Sequence, residues 1–126
     1  MARTLLFILA GYAIIISGYI WFLPQMFYDN TPGVAIMGPF SLHFMRDVSL
    51  AYLAGGLILL WGAVRHDQRL ALAGGLWFAF HALYHFGIFI NRGLPFDIIT
   101  ASDFAGVIVP ATLAIWAARR LNPRTT

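Results

Sequence analysis

The sequence predicts an all-α integral membrane protein, a four-helix up-down-up-down bundle with both termini cytoplasmic. Three observations carry this. Of its 126 residues 60% are hydrophobic and 10% charged, with a mean hydropathy of +0.77. Soluble domains carry roughly 25% charged residues, so a soluble chain this short could not hide that much apolar surface. Four apolar runs each approach the roughly 20 residues a membrane span needs, and two of the three links between them are short.

Residues 4–23 form an uncharged first run. Arg3 ahead of it resembles a signal peptide, but no small-x-small cleavage site follows, only Tyr19-Ile20-Trp21-Phe22-Leu23, so it reads as a retained span. Residues 24–39, rich in Pro, Gly, Asn and Asp, read as a loop. The second span covers 41–64 and the third 70–90, joined by Arg65-His66-Asp67-Gln68-Arg69, where His66 reads as a solvated loop residue. After Asn91-Arg92-Gly93-Leu94-Pro95 the fourth span covers 98–118, with Pro110 expected to bend it and to free a carbonyl that needs another partner. Residues 1–126 are thus one transmembrane domain. Leu-Ala-Gly-Gly-Leu occurs at 53–57 and again at 72–76; its paired glycines suit close helix approach better than an internal repeat.

Arginine supplies the direction. The chain has no Lys; Arg3, Arg65, Arg69, Arg119, Arg120 and Arg124 fall on one side, Arg46 and Arg92 on the other. The positive-inside rule puts the first group in the cytoplasm of a bacterial inner (plasma) membrane. Trp21, Phe22, Phe27 and Tyr28 then suit an aromatic belt at the outer face. Arginines in short loops and at chain ends make no basic stripe, so no nucleic-acid partner is expected. The expected partners are the lipid bilayer and, through lipid-facing surfaces, a homo-oligomer or larger membrane complex.

Ionisable groups inside spans cost about 2.5–3.5 kcal/mol each near the centre, which makes them functional candidates. Here they cluster: His43 and Asp47 in span two, His81 and His85 in span three, both at i, i+4 on one helix face, and Asp103 in span four. At about 1.5 Å rise per residue, Asp47, His85 and Asp103 each lie roughly 8–9 Å from the outer end of their span, so three helices are expected to bring them to one level. Imidazole with carboxylate suits a divalent transition metal, copper, zinc or iron, and His43, Asp47, His81, His85 and Asp103 are the candidate ligands. Arg46, Tyr52 and Tyr84 are placed to support them, Arg46 by pairing with Asp47 or Asp103 or by reaching outward to headgroups.

Other chemistries fit the same residues. A haem needs two imidazoles on different helices, for which His43 and His85 are the available pair, with Arg46 or Arg92 near propionates. A proton relay in a small proton- or metal-coupled transporter uses such Asp/His sets. A structural accessory subunit would use them as a buried hydrogen-bond network. If the chain is an enzyme, metal-dependent oxidation or a metal-activated water acting on a lipid-soluble substrate suits the setting. The absence of Cys excludes thiol and iron–sulfur chemistry. No phosphate-binding glycine pattern or nucleophile elbow occurs. The first span lacks the acidic residue on which small multidrug exporters depend.

The segments His43-Phe44-Met45-Arg46-Asp47-Val48, Ala51-Tyr52-Leu53-Ala54-Gly55-Gly56 and His81-Ala82-Leu83-Tyr84-His85 resemble small bacterial four-span proteins of the DoxX-like type, which implies a four-helix membrane bundle and no established reaction. The site type is also similar to the copper-binding membrane subunit of particulate methane and ammonia monooxygenases, which places one Asp and two His on transmembrane helices. There the Asp precedes a His by four; here His43 precedes Asp47.

Overall fold

A computed structural model describes residues 1–122, so Arg124 lies outside the described residues. Helix α1 (Ala2–Phe22), α3 (Leu42–Arg65) and α4 (Gln68–Asn91) match the first three expected spans to within two residues. The fourth span is composite: α5 (Ile98–Asp103), a π-helical segment Phe104–Ile108, and α6 (Val109–Arg119). All four are long and apolar enough to cross a membrane.

The boundaries have local causes. Asp67 Oδ1 accepts from the Leu70 amide (3.0 Å) and Asp97 Oδ1 from the Thr100 amide (2.9 Å), and Ser41 Oγ caps Phe44 in the same way (3.3 Å). The link from α3 to α4 needs only His66 and Asp67. His66 ends α3 in the left-handed conformation (φ 55°) and the Asp67 amide turns back to the Gly62 carbonyl at 2.9 Å. His66 is half-buried there, not the solvated loop residue its position suggested.

Residues 24–39 are more ordered than a loop. Pro24, whose missing N–H costs nothing in a first helical turn, opens a short helix α2 (Pro24–Asn30), and a 3₁₀ turn follows at Ala35–Met37. Gln25 Nε2 donates to Asp29 Oδ1 (2.9 Å), and Tyr28 Oη donates to Gly38 O (2.7 Å), which ties the segment to itself. Turn-forming composition concealed these local bonds.

The helices pack in the cyclic order α1, α3, α4, α6. Arg3 Nε donates to Ala63 O (3.1 Å) and Gln68 Nε2 to Arg119 O (2.8 Å), gathering the start of α1, the end of α3, the start of α4 and the end of α6 at one end, called here the terminal end. The loop end, opposite, carries α2 and residues 92–97. An apolar cluster of Leu6, Leu9, Leu59, Ala63, Ala71 and Ala114 fills the terminal half. Ala13, Ile20, Met45 and Tyr52 form a second cluster nearer the loop end. The outside is apolar as well: Ile15, Phe80 and Leu83 are each about two-thirds exposed, 71%, 68% and 66%, as lipid contact requires.

Gly74 of the second glycine pair acts as expected, and Gly62, outside either pair, does the same. A Cβ on Gly74 would overlap the Leu59 backbone, and one on Gly62 would overlap Ala71, so α3 and α4 touch backbone to backbone. Pro110 leaves the Gly106 carbonyl without its helical donor, and Tyr12 Oη on α1 supplies the missing bond at 2.7 Å. The π segment directly before Pro110 is set by the Val109 amide reaching back to Phe104 O.

Candidate functional site, a His–Asp pair between spans three and four

The central contact joins the third and fourth spans. His85 Nδ1 on α4 lies 2.9 Å from Asp103 Oδ1, at the last residue of α5, with side chains 21% and 11% exposed. The Nδ1 atom is itself buried, and its N–H direction misses the carboxylate, so the contact is ionic in distance but not an aligned hydrogen bond. Both residues lie roughly 8–9 Å from the loop end of their helices.

A ladder of rings continues from this pair along one face of α4. His81 stands edge-on to His85, with ring centroids 4.6 Å apart, and stacks nearly flat on Trp77 at 4.7 Å and 17°. Tyr52 on α3 closes the group, edge-on to both His81 (5.9 Å) and Trp77 (4.7 Å). Tyr84 touches His85 edge-on at 6.0 Å but is itself 60% exposed. The residues at 77, 81 and 85 share the i, i+4 spacing; Trp77 and Tyr12 carry no charge, so a search for ionisable groups passes over them.

His43 and Asp47 do not join this group. They pair with each other, Nε2 to Oδ2 at 3.2 Å, on α3, with side chains 91% and 58% exposed. The expected convergence of Asp47 with His85 and Asp103 is therefore corrected: equal depth on neighbouring helices does not give equal facing, and Asp47 turns outward with His43. Arg46 forms no ion pair with Asp47 or Asp103; its guanidinium lies over the Trp21 ring at 5.1 Å.

Among the described residues no three His or Asp side chains are grouped so as to hold a metal ion. His81, the nearest third donor, faces Trp77 and Tyr52 with its ring. A haem fits no better, because His81 and His85 share one helix with rings 4.6 Å apart, leaving no space for a macrocycle between them, and His43 is exposed.

At the loop end, Arg92 holds Asp97 through Nη2 to Oδ2 at 2.5 Å, and Asp97 also caps α5. The Arg92 hydrogen bond, helped by the Thr100 amide, pulls the Asp97 carboxyl down to about 2. Beside this turn an open apolar groove of about 240 Å³ is lined by Phe89, Phe96, Asp97, Thr100, Ala101 and Phe104. Phe89 is one turn beyond His85 and Thr100 one turn before Asp103, so the groove lies directly on the loop-end side of the pair. It is smaller than the roughly 300 Å³ at which drug-sized ligand sites begin, and suits only a small apolar body. No protein-family model, no curated protein and no solved structure matches the chain.

Proposed function

We propose that this chain is a small proton-coupled carrier of the plasma membrane, working at the His85–Asp103 pair. The observation that carries the reading is the pair itself: two ionisable side chains on two different spans, paired with each other and largely withdrawn from the surface. Groups so placed in a membrane bundle recur in proton relays. The span that brings Asp103 is broken by a π segment and Pro110, and interrupted spans are what carriers use to build sites at depth. The apolar groove beside the pair supports a small lipid-soluble solute as the coupled molecule.

In this reading the helices run up-down-up-down, the arginine-rich terminal end faces the cytoplasm, and the pair exchanges its proton with the outer face. The exposed His43–Asp47 pair then lies at that outer face, where it contacts solvent and headgroups rather than the carried solute.

The test is a ¹⁵N and ¹³C NMR titration of labelled protein in nanodiscs, following the His85 ring and the Asp103 carboxyl together. The titration runs over about pH 3 to 9, which brackets the ordinary values of both side-chain types, and Asp103→Asn is expected to change the His85 response. Silence of both groups across that range overturns the reading. So does stoichiometric copper, zinc or iron in the purified protein that is lost in His85→Ala, since the pair would then belong to a metal site.

A further inference from the structure

A small, partly open space lies deeper in the bundle than the His85–Asp103 pair. Its volume is about 20 Å³, and its lining includes Tyr12 from α1, Tyr52 from α3, His81 from α4 and Gly106 from the π segment, with Leu59 and Ala114 on the terminal side. We propose that this cavity is a binding site for one water molecule, which joins Tyr52, Tyr12 and His81 and so ties three spans to one polar node.

Size restricts the occupant first. A buried water needs about 10–15 Å³ of such space, so the cavity admits one and has no room for a second or for an organic group. Charge restricts it next. No carboxylate lines the cavity, so a metal cation there would be buried without a counter-charge, which is prohibitive at low dielectric.

The hydrogen-bonding inventory then matches water. Tyr12 has already given its proton to Gly106 O at 2.7 Å and offers only lone pairs. Tyr52, 7% exposed, makes ring contacts with Trp77, Phe78 and His81, and its hydroxyl donates to no protein group among the described residues. His81 likewise makes ring contacts alone, leaving a ring nitrogen for the cavity as neutral acceptor or donor. A water that accepts from Tyr52 Oη–H and donates to Tyr12 Oη and to His81 makes three bonds, the usual number for a buried water. An apolar atom in the same place would leave the Tyr52 proton without a partner.

This node extends the polar series inward, from Asp103 and His85 through His81 to the water and Tyr52. It deepens the carrier reading, and rests on it only for its role, not for its existence. Beyond Tyr52 the route meets Leu9, Leu59 and Ala114, all buried, and among the described residues no buried polar side chain continues it. The series is blind at its inner end.

The experiment is water-to-protein cross-relaxation NMR on the full chain in nanodiscs, read at the His81 ring protons and assigned with His81→Gln. Wild type is expected to show a cross-peak to bound water. Gly106→Ala is expected to abolish it without disturbing the bundle, because the added methyl meets only Tyr12 Oη, at 3.5 Å, and takes up the cavity. Tyr52→Phe is expected to weaken or remove it. A wild-type spectrum with no water peak at His81, or a peak that persists in Gly106→Ala, overturns the proposal. The proton titration of His85 and Asp103 is read independently in the same samples, so a bound water beside a silent pair would reject the carrier reading alone.

Discussion

At the scale of single residues, the contributions of two polar side chains, Ser49 and Asp97, can be measured. Ser49, 1% exposed, donates to Ser17 O at 2.8 Å and lies 3.1 Å from Ser17 Oγ, a small polar clasp between α1 and α3. Hydrogen bonds between membrane helices contribute about 0.6 kcal/mol on average and up to about 1.7. Ser49→Ala is therefore expected to lower stability by roughly 1 kcal/mol in SDS unfolding followed by circular dichroism. Asp97 gives a pH signature. Its carboxyl is held down to about 2 from an ordinary 3.8, so the folded state gains from Asp97 above pH 3.8 and loses that gain as pH falls towards about 2. The melting temperature of wild type should exceed that of Asp97→Asn at pH 5, and the difference should close across that acidic window. At this scale the sequence was partly legible. The shared face of His43 and Asp47 followed from i, i+4 spacing, and so did the neighbourhood of His81 and His85, although the ion pair between His43 and Asp47 was not anticipated. That Asp47 turns away from His85 did not follow, because depth is set by position along a helix whereas facing is set by how two helices are rotated in contact, which no spacing records.

At the scale of elements, glycine placement decides how closely the helices approach. Gly74 has the Leu59 backbone where its Cβ would stand, whereas Gly11 and Gly18 on α1 have nothing within 4 Å. Gly74→Ala must push α3 and α4 apart and is expected to cost about 1–3 kcal/mol, as overpacked cores do. Gly11→Ala should be neutral or slightly stabilising, since it removes a poor helix former at an open position. Chemical unfolding of the two variants side by side separates these outcomes. The span boundaries were nearly all readable from hydropathy and capping residues. Helix α2 was not, because Pro24, Asn30 and the residues after it are turn formers whose bonds, such as Tyr28 to Gly38, connect positions ten residues apart.

At the scale of the whole molecule, the two halves of the bundle differ in kind. The terminal half is packed with Leu and Ala, while the other half holds the ring ladder, the His–Asp pair and the serine clasp. Alanine-rich packing brings the helices of the terminal half close, which in the proposed carrier suits a closed base beneath the polar half. The orientation proposed for that base can be checked directly, since a chain without Cys accepts single cysteines with no background to remove. In intact cells a membrane-impermeant thiol reagent should label Thr31→Cys and leave Arg69→Cys untouched until the membrane is opened; the opposite pattern would invert the topology. The sequence carried this asymmetry in outline, through an uncharged first span and ionisable residues confined to the other three. It could not show that Tyr12, a residue of the uncharged span, supplies the bond that Pro110 removes from the Gly106 carbonyl in the fourth.

The π segment bears on how the fourth span should be compared between chains. A π turn holds one residue more than the α turn it replaces, and each residue of an α-helix advances about 100° around the axis. Loss of one residue within Phe104–Ile108 would leave a stretch still apolar, still ended by arginine and still carrying one Asp. Relative to α6, however, that carboxylate would be turned by roughly 100°, off His85 and towards another neighbour. Any alignment of this span thus has a rotational reading frame: a single-residue gap keeps the composition of the span and changes which helix its acid addresses.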